Sequence, residues 1–174
     1  MLPKMIDPRR CADQDIEYQG LMQATLLPRL VEAVEQLFEP ATVRIHIFKD
    51  AQNRMRIQGE AQVVVKVICQ RCMKPMTQQI DAEFNLVMVY SDAQAKALPK
   101  EYDAWVVEES ANLHQMIEDE LLLAMPIVAL SDADECDAPD MATFNQHANS
   151  EIETRTVKRQ SPFAVLKDLT EKPG

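Results

Sequence analysis

The spacing of hydrophobic residues changes along this chain, and each change marks an element. Ile16 to Met22 alternates weakly and predicts a short strand leading into a helix. From Thr25 to Phe38, residues Leu26, Leu27, Leu30, Val31, Val34 and Leu37 fall at helical spacing, with Glu32, Glu35 and Gln36 on the outer side. Pro28 lies in the first turn, where a missing N–H is tolerated, and Pro40 stops the helix. Beyond Pro40 the period drops to two. Val43, Ile45 and Ile47 alternate with Arg44 and His46, and Asp50-Ala51-Gln52-Asn53 makes a turn. In the strand that follows, Ile57, Gly59, Ala61, Val63, Val65, Val67 and Cys69 share one face. After a turn at Gln70 to Lys74, Ile80, Ala82, Phe84, Leu86 and Met88 alternate with polar partners. These runs predict an antiparallel meander with one solvated face, to which Trp105-Val106-Val107 adds a short strand.

Helical spacing returns with Asn112, followed three residues on by Gln115 as in a capping box. Leu113, Met116, Ile117, Glu120, Leu121 and Ala124 form its stripe, and Pro126 ends it. Residues 131–159 are polar, acidic and aperiodic, which predicts disorder. Inside that polar tail, residues 161–169 form an apolar island. Pro162, Phe163, Val165 and Leu166 are its candidate docking residues. The expected fold is α+β: an antiparallel β-meander of three to five strands packed with two main helices, over residues 1–130. A flexible acidic tail, 131–174, follows.

Composition narrows the function. The chain has 174 residues, 47% of them hydrophobic, and a net charge of -10. That balance excludes a uniformly basic nucleic-acid coat. The charge is segregated, however: +2 over residues 1–80, -15 over 81–153 and +3 over 154–174. With 3 Gly there is no phosphate-cradling glycine loop. The first residues carry no apolar signal region, and the run Leu121–Leu130 is far short of the roughly 20 residues of a membrane span. A cytoplasmic protein is expected, with its 4 Cys present as thiols or metal ligands.

The most chemically loaded motif is Cys69-Gln70-Arg71-Cys72, in the turn between two strands. Two thiolates so spaced can face one tetrahedral ion, which is half of a zinc site. Cys136 is the best third ligand, and His147, Asp134 or Asp137 could complete the set; Cys11 is a weaker candidate. Thiol–disulfide chemistry is an alternative, although reactive pairs of this kind usually sit at a helix N-terminus. In a third reading the cysteines only fill the hairpin end. Glu118, Asp119 and Glu120 are consecutive on a helix, so Glu118 and Asp119 are expected to face solvent. His46, His114 and His147 are scattered, and no catalytic motif accompanies them. No enzyme is expected.

Several segments, taken in order, resemble the bacterial YceD family, the large ribosomal RNA subunit accumulation proteins. They are Ile6-Asp7-Pro8-Arg9, the run from Asp15 to Gly20, the Cys-x-x-Cys with Lys74-Pro75, Ala97-Leu98-Pro99, the run from Glu118 to Pro126, and Pro162-Phe163-Ala164-Val165-Leu166. The resemblance implies a part in the synthesis, processing or stability of 23S ribosomal RNA and in large-subunit assembly, without catalysis. Two molecular roles fit. In one, basic residues of the first half touch ribosomal RNA: Arg44, His46, Lys49, Arg54, Arg56, Lys66, Arg71 and Lys74. In the other, the acidic second half is an adaptor for a basic ribosomal protein or assembly factor. A redox or zinc-binding protein is the outsider. No membrane or DNA partner is expected.

Overall fold

The computed structural model describes residues 2–132 and residue 136, and they run in the order β1 (Met5–Ile6), α1 (Pro8–Gln14), β2 (Ile16–Met22), α2 (Pro28–Ala33), β3 (Gln36–Leu37), β4 (Ala41–Lys49), β5 (Met55–Ile68), β6 (Pro75–Val89), α3 (Asp92–Ala97), β7 (Asp103–Val106), β8 (Ala111–Asn112) and α4 (Leu113–Ala124). The alternation after Pro40 becomes the centre of the molecule. Among the described residues, β2, β4, β5, β6 and β7 lie side by side, with β3 on β5 beyond the start of β4, and β1 pairs separately with β8. The fold is α+β, with antiparallel pairing everywhere except between β6 and β7, which run parallel.

One face of the sheet is dry. Val43, Ile45 and Ile47 of β4, Ile57, Ala61 and Val65 of β5 and Cys69 just after it are fully buried, while the alternates Arg44, Glu60 and Gln62 meet water. α1 packs against β4 and β5, and α4 against β6 and β5. The predicted α4 stripe lands there: Leu113, Ile117 and Leu121 have no exposure. Each such side chain contributes about 1.5–3 kcal/mol relative to exposure. Asn112 caps α4, its side chain accepting from the Gln115 N–H. Gly59 faces Phe84 across β5 and β6, and a Cβ there would lie 2.5 Å from the Arg44 carbonyl oxygen and 2.7 Å from the Phe84 ring. The glycine lets the ring lie over the strand.

Three expectations change. The single helix expected over Thr25–Phe38 is instead a short 3₁₀ turn at Ala24–Leu26, then α2, then β3. Val34 is already extended, and Gln36 and Leu37 pair with Lys66 and Val65. The part of β5 that outruns β4 offers open backbone groups, and this pairing outweighs the helical pattern. Second, Glu118 does not face solvent. It is 4% exposed and accepts from the Arg29 and Leu30 N–H groups at 2.7 and 3.2 Å and from Arg29 Nε at 3.0 Å. Leu27, which precedes α2, has no capping side chain, so a carboxylate from α4 caps that helix. Third, α1 and α3 were not foreseen, although Asp7 before Pro8 and Ser91 before Asp92 cap them as expected from their types.

No helix among the described residues is long and apolar enough to cross a membrane. The expected tail, with its docking residues Pro162, Phe163, Val165 and Leu166 and with His147, lies outside the described residues, apart from Ser131, Asp132 and Cys136.

Candidate metal centre

β5 and β6 are joined by a turn that closes on its own backbone. The Cys69 N–H donates to the Lys74 carbonyl and the Met73 N–H to the Cys69 carbonyl, both at 2.9 Å. Met73 takes the left-handed conformation (φ 61) that completes the reversal. The segment after α4 comes back to this turn: the Gln70 N–H donates to the Ala129 carbonyl at 2.8 Å. That bond brings Ser131 over Cys69, and Cys136 follows it.

The result is a cluster of three sulfurs. Cys69, Cys72 and Cys136 lie with their Sγ atoms all within 4.8 Å of one another. Cys69 is fully buried and the other two are half-buried. The Ser131 hydroxyl and N–H donate to Cys69 Sγ at 3.3 and 3.4 Å. With the Cys72 and Arg71 N–H groups, these donors bring the Cys69 thiol down to about 5, against the opposing effect of burial. The Lys74 N–H pulls Cys72 down as well, but burial and the neighbouring Cys69 and Cys136 outweigh it and leave Cys72 above its ordinary value. Packing sulfurs this closely resists a second charge, and that resistance disappears when a cation sits between them. Three cysteine sulfurs at this separation can hold a metal ion, and thiolates favour zinc among the common ions. Cys11 takes no part; it is in α1, 3.7 Å from the Tyr18 hydroxyl.

The expected RNA-facing cations do not form one patch. Arg44 pairs with Glu60 at 3.7 Å, Lys49 with Asp13, and Arg54 with Asp50 at 2.7 Å. His46 is 2.6 Å from Asp15 and stacks on Phe48. Arg56 lies between Phe48 and Tyr102 and donates to Asn85. Arg71 turns onto the cluster, its Nε donating to Cys136 Sγ at 2.9 Å and its Nη2 to the Ser131 carbonyl at 3.1 Å. Lys66 and Lys74 line a groove of about 440 Å³ beside the cluster, together with Phe38, Cys72, Thr77 and Ser131. The sequence pattern does not mark Phe38 or Ser131 as site residues: helical spacing places Phe38 at the end of a helix, and no spacing rule links Ser131 to a motif far upstream. A second groove, of about 610 Å³, centres on Gly59 and is lined by Arg44, His46, Glu60 and Glu83.

The chain matches the family model described as large ribosomal RNA subunit accumulation protein YceD over residues 57–170. It is also similar to the large ribosomal RNA subunit accumulation protein YceD of Haemophilus influenzae, at 30% identity over 173 residues, covering 98% of this chain and 97% of that protein. No solved structure matches it. The matched region runs from β5 through the cysteine turn and α4, and the relative extends the likeness to nearly the whole length. The chain belongs to the YceD family.

Proposed function

We propose that this protein is a cytoplasmic ribosome-biogenesis factor that supports the accumulation of 23S ribosomal RNA and assembly of the large subunit, by binding and not by catalysis. The carrying observation is near full-length likeness to a protein named for large ribosomal RNA subunit accumulation. At the molecular level it touches RNA with the hairpin end of its sheet. Zinc held by Cys69, Cys72 and Cys136 stiffens that end. Lys66 and Lys74 meet phosphates beside it. The test is a gradient profile of ribosomes from cells lacking the protein, with binding of large-subunit RNA measured across salt. A normal large-subunit peak with normal 23S RNA defeats the biological reading, and binding without salt dependence defeats the phosphate contact.

A second reading, an acidic adaptor for a basic ribosomal protein or assembly factor, draws on a different observation. Leu123, Ile127, Val128 and Leu130 are exposed next to a strongly acidic stretch of chain. If deletion of residues 131–174 leaves capture of basic partners unchanged, the adaptor reading is wrong. A thiol redox role is excluded if the purified protein carries stoichiometric zinc.

A further inference from the structure

The sheet ends on two outer strands, β2 and β7, and they are finished differently. At β2 the N-terminal segment lies against the strand: a Cβ on Gly20 would meet Leu2 Cγ at 3.3 Å. The charges in and before β2 are of both signs, Arg9, Arg10, Asp13 and Glu17 among them. At β7 neither holds. The outer side of this strand pairs with no other strand among the described residues. Trp105 turns to the core, and the Val107 N–H reaches across to the Val89 carbonyl at 2.8 Å. Backbone groups alternate along a strand, so those of Ala104 and Val106 point away from β6, and both residues are exposed.

An open edge is a template for another strand, and the charge around this one selects the strand it takes. Residues 101–120 hold no Lys or Arg. Glu118 and Asp119 answer Arg29. Glu101, Asp103, Glu108, Glu109 and Glu120 make no ion pair among the described residues, and neither do Lys96 and Lys100 just upstream. Burial raises the Glu120 carboxyl, and Asp103 and Asp119 raise it further, so the carboxylates of α4 and β7 act on each other. Between the end of β7 and α4 opens a cleft of about 220 Å³, with Trp105, Met116, Glu108 and Asp119 among its lining residues. Its apolar walls suit the stem of one Lys or Arg, and its carboxylates suit the head. β7 is 4 residues long, too short to hold a partner by backbone pairing alone, so charge decides which partner stays.

We propose that β7 is a docking edge for a basic, extended segment of another protein, which adds as a strand along Ala104 and Val106 and lodges one Lys or Arg in the cleft beside Trp105. The same carboxylates turn away phosphate, so the occupant is protein and not RNA. The adaptor reading above needs residues 131–174, and this edge lies outside them, so the two stand or fall separately.

The test uses the full chain and fluorescence anisotropy of a short labelled peptide alternating lysine with valine. A copy N-methylated throughout, which cannot pair as a strand, and a copy with glutamate for lysine serve as comparisons. Only the lysine peptide with free amides should bind tightly. Val106→Pro deletes an outward N–H and leaves those facing β6 in place, so the thermal melt should hold while affinity falls about tenfold. Glu108→Gln should weaken binding about threefold and flatten its dependence on salt. Hydrogen exchange reads the contact in the unaltered chain: the peptide should slow the Ala104 and Val106 amides and leave β2 unchanged. If the N-methylated or glutamate peptide binds as well as the lysine peptide, or those two amides exchange equally with and without it, docking at β7 is wrong while the adaptor reading stands on its own test. Protection of the same amides before any peptide is added, by a second copy or by this chain itself, overturns it as well.

Discussion

The two hairpins at the ends of β5 solve one problem with different chemistry. Each reverses the chain with a non-glycine residue in the left-handed region, Asn53 at one end and Met73 at the other, both with φ 61. At the β4–β5 end, Asp50 accepts from the Gln52 and Arg54 N–H groups at 2.9 Å and from Arg54 Nε at 2.7 Å. Arg54 also lies 4.3 Å over the Tyr102 ring. That turn carries its own counter-ion. At the β5–β6 end the acceptors are sulfurs, one of them strongly acidified, and Arg71 donates to another. A guanidinium can face one sulfur well, but it cannot take the centre of three. The first turn is complete within the protein, and the second gathers three sulfurs that could hold an ion.

The largest effect expected is that of Cys69→Ala. It should take bound zinc from about one ion per chain to none, read by elemental analysis, and should speed amide exchange at Gln70 and Met73 while Gln52 and Arg54 stay protected. Uniform loss of protection at both ends would mean that the hairpins are one unit. Next comes Gly59→Ala, in the strand that joins them. Forcing a methyl group against the Arg44 carbonyl and the Phe84 ring should cost about 1–3 kcal/mol in denaturant unfolding, and it should weaken both ends together. Asp50→Ala removes three accepted hydrogen bonds and should lower stability by about 1–2 kcal/mol, without changing metal content.

The smallest effect is one of pH. Burial raises the Asp50 carboxyl, but the Arg54 and Gln52 donors outweigh it and hold the group below its ordinary value. A carboxyl depressed in the folded state lends stability above its unfolded pKa, near about 4, and loses it as pH falls through the folded value. Exchange at Gln52 and Arg54 should therefore accelerate below about pH 4. The same titration of Asp50→Asn should lose that step.

Much of this could be read from residue order, and the exceptions share a cause. The alternation in β4, β5 and β6 is a local pattern, and it survives because one face has to be dry. The capping of α4 by Asn112 is equally local. The helix expected from Thr25 to Phe38 was local too, but β5 outruns β4 and draws Gln36 and Leu37 into the sheet. The Cys-x-x-Cys was legible as half a site, and Cys136 as its third member, because thiolate chemistry leaves few candidates. Ser131 over Cys69, Phe38 beside Lys66, and Glu118 on α2 were not legible. Each is a contact between distant segments whose residue types are ordinary where they stand. The parallel pairing of β7 with β6 depends on the crossover through α3, which no alternation reveals.

The cap that Glu118 places on α2 also sets an order of events during synthesis. Arg29 and Leu30 leave the ribosome long before residue 118 exists, so the N–H groups of that helix have no carboxylate to meet. The beginning of the chain waits in the same way: Lys4 accepts from the Leu113 N–H at 2.9 Å, and the Leu2 carbonyl lies 3.3 Å from the His114 ring. The sheet hairpins can form as they emerge, because their partners are neighbours in sequence. On a stalled chain that ends before Leu113, protease should spare β4 and β5 and cut near α2. The first part of this protein to be made is the last to be closed.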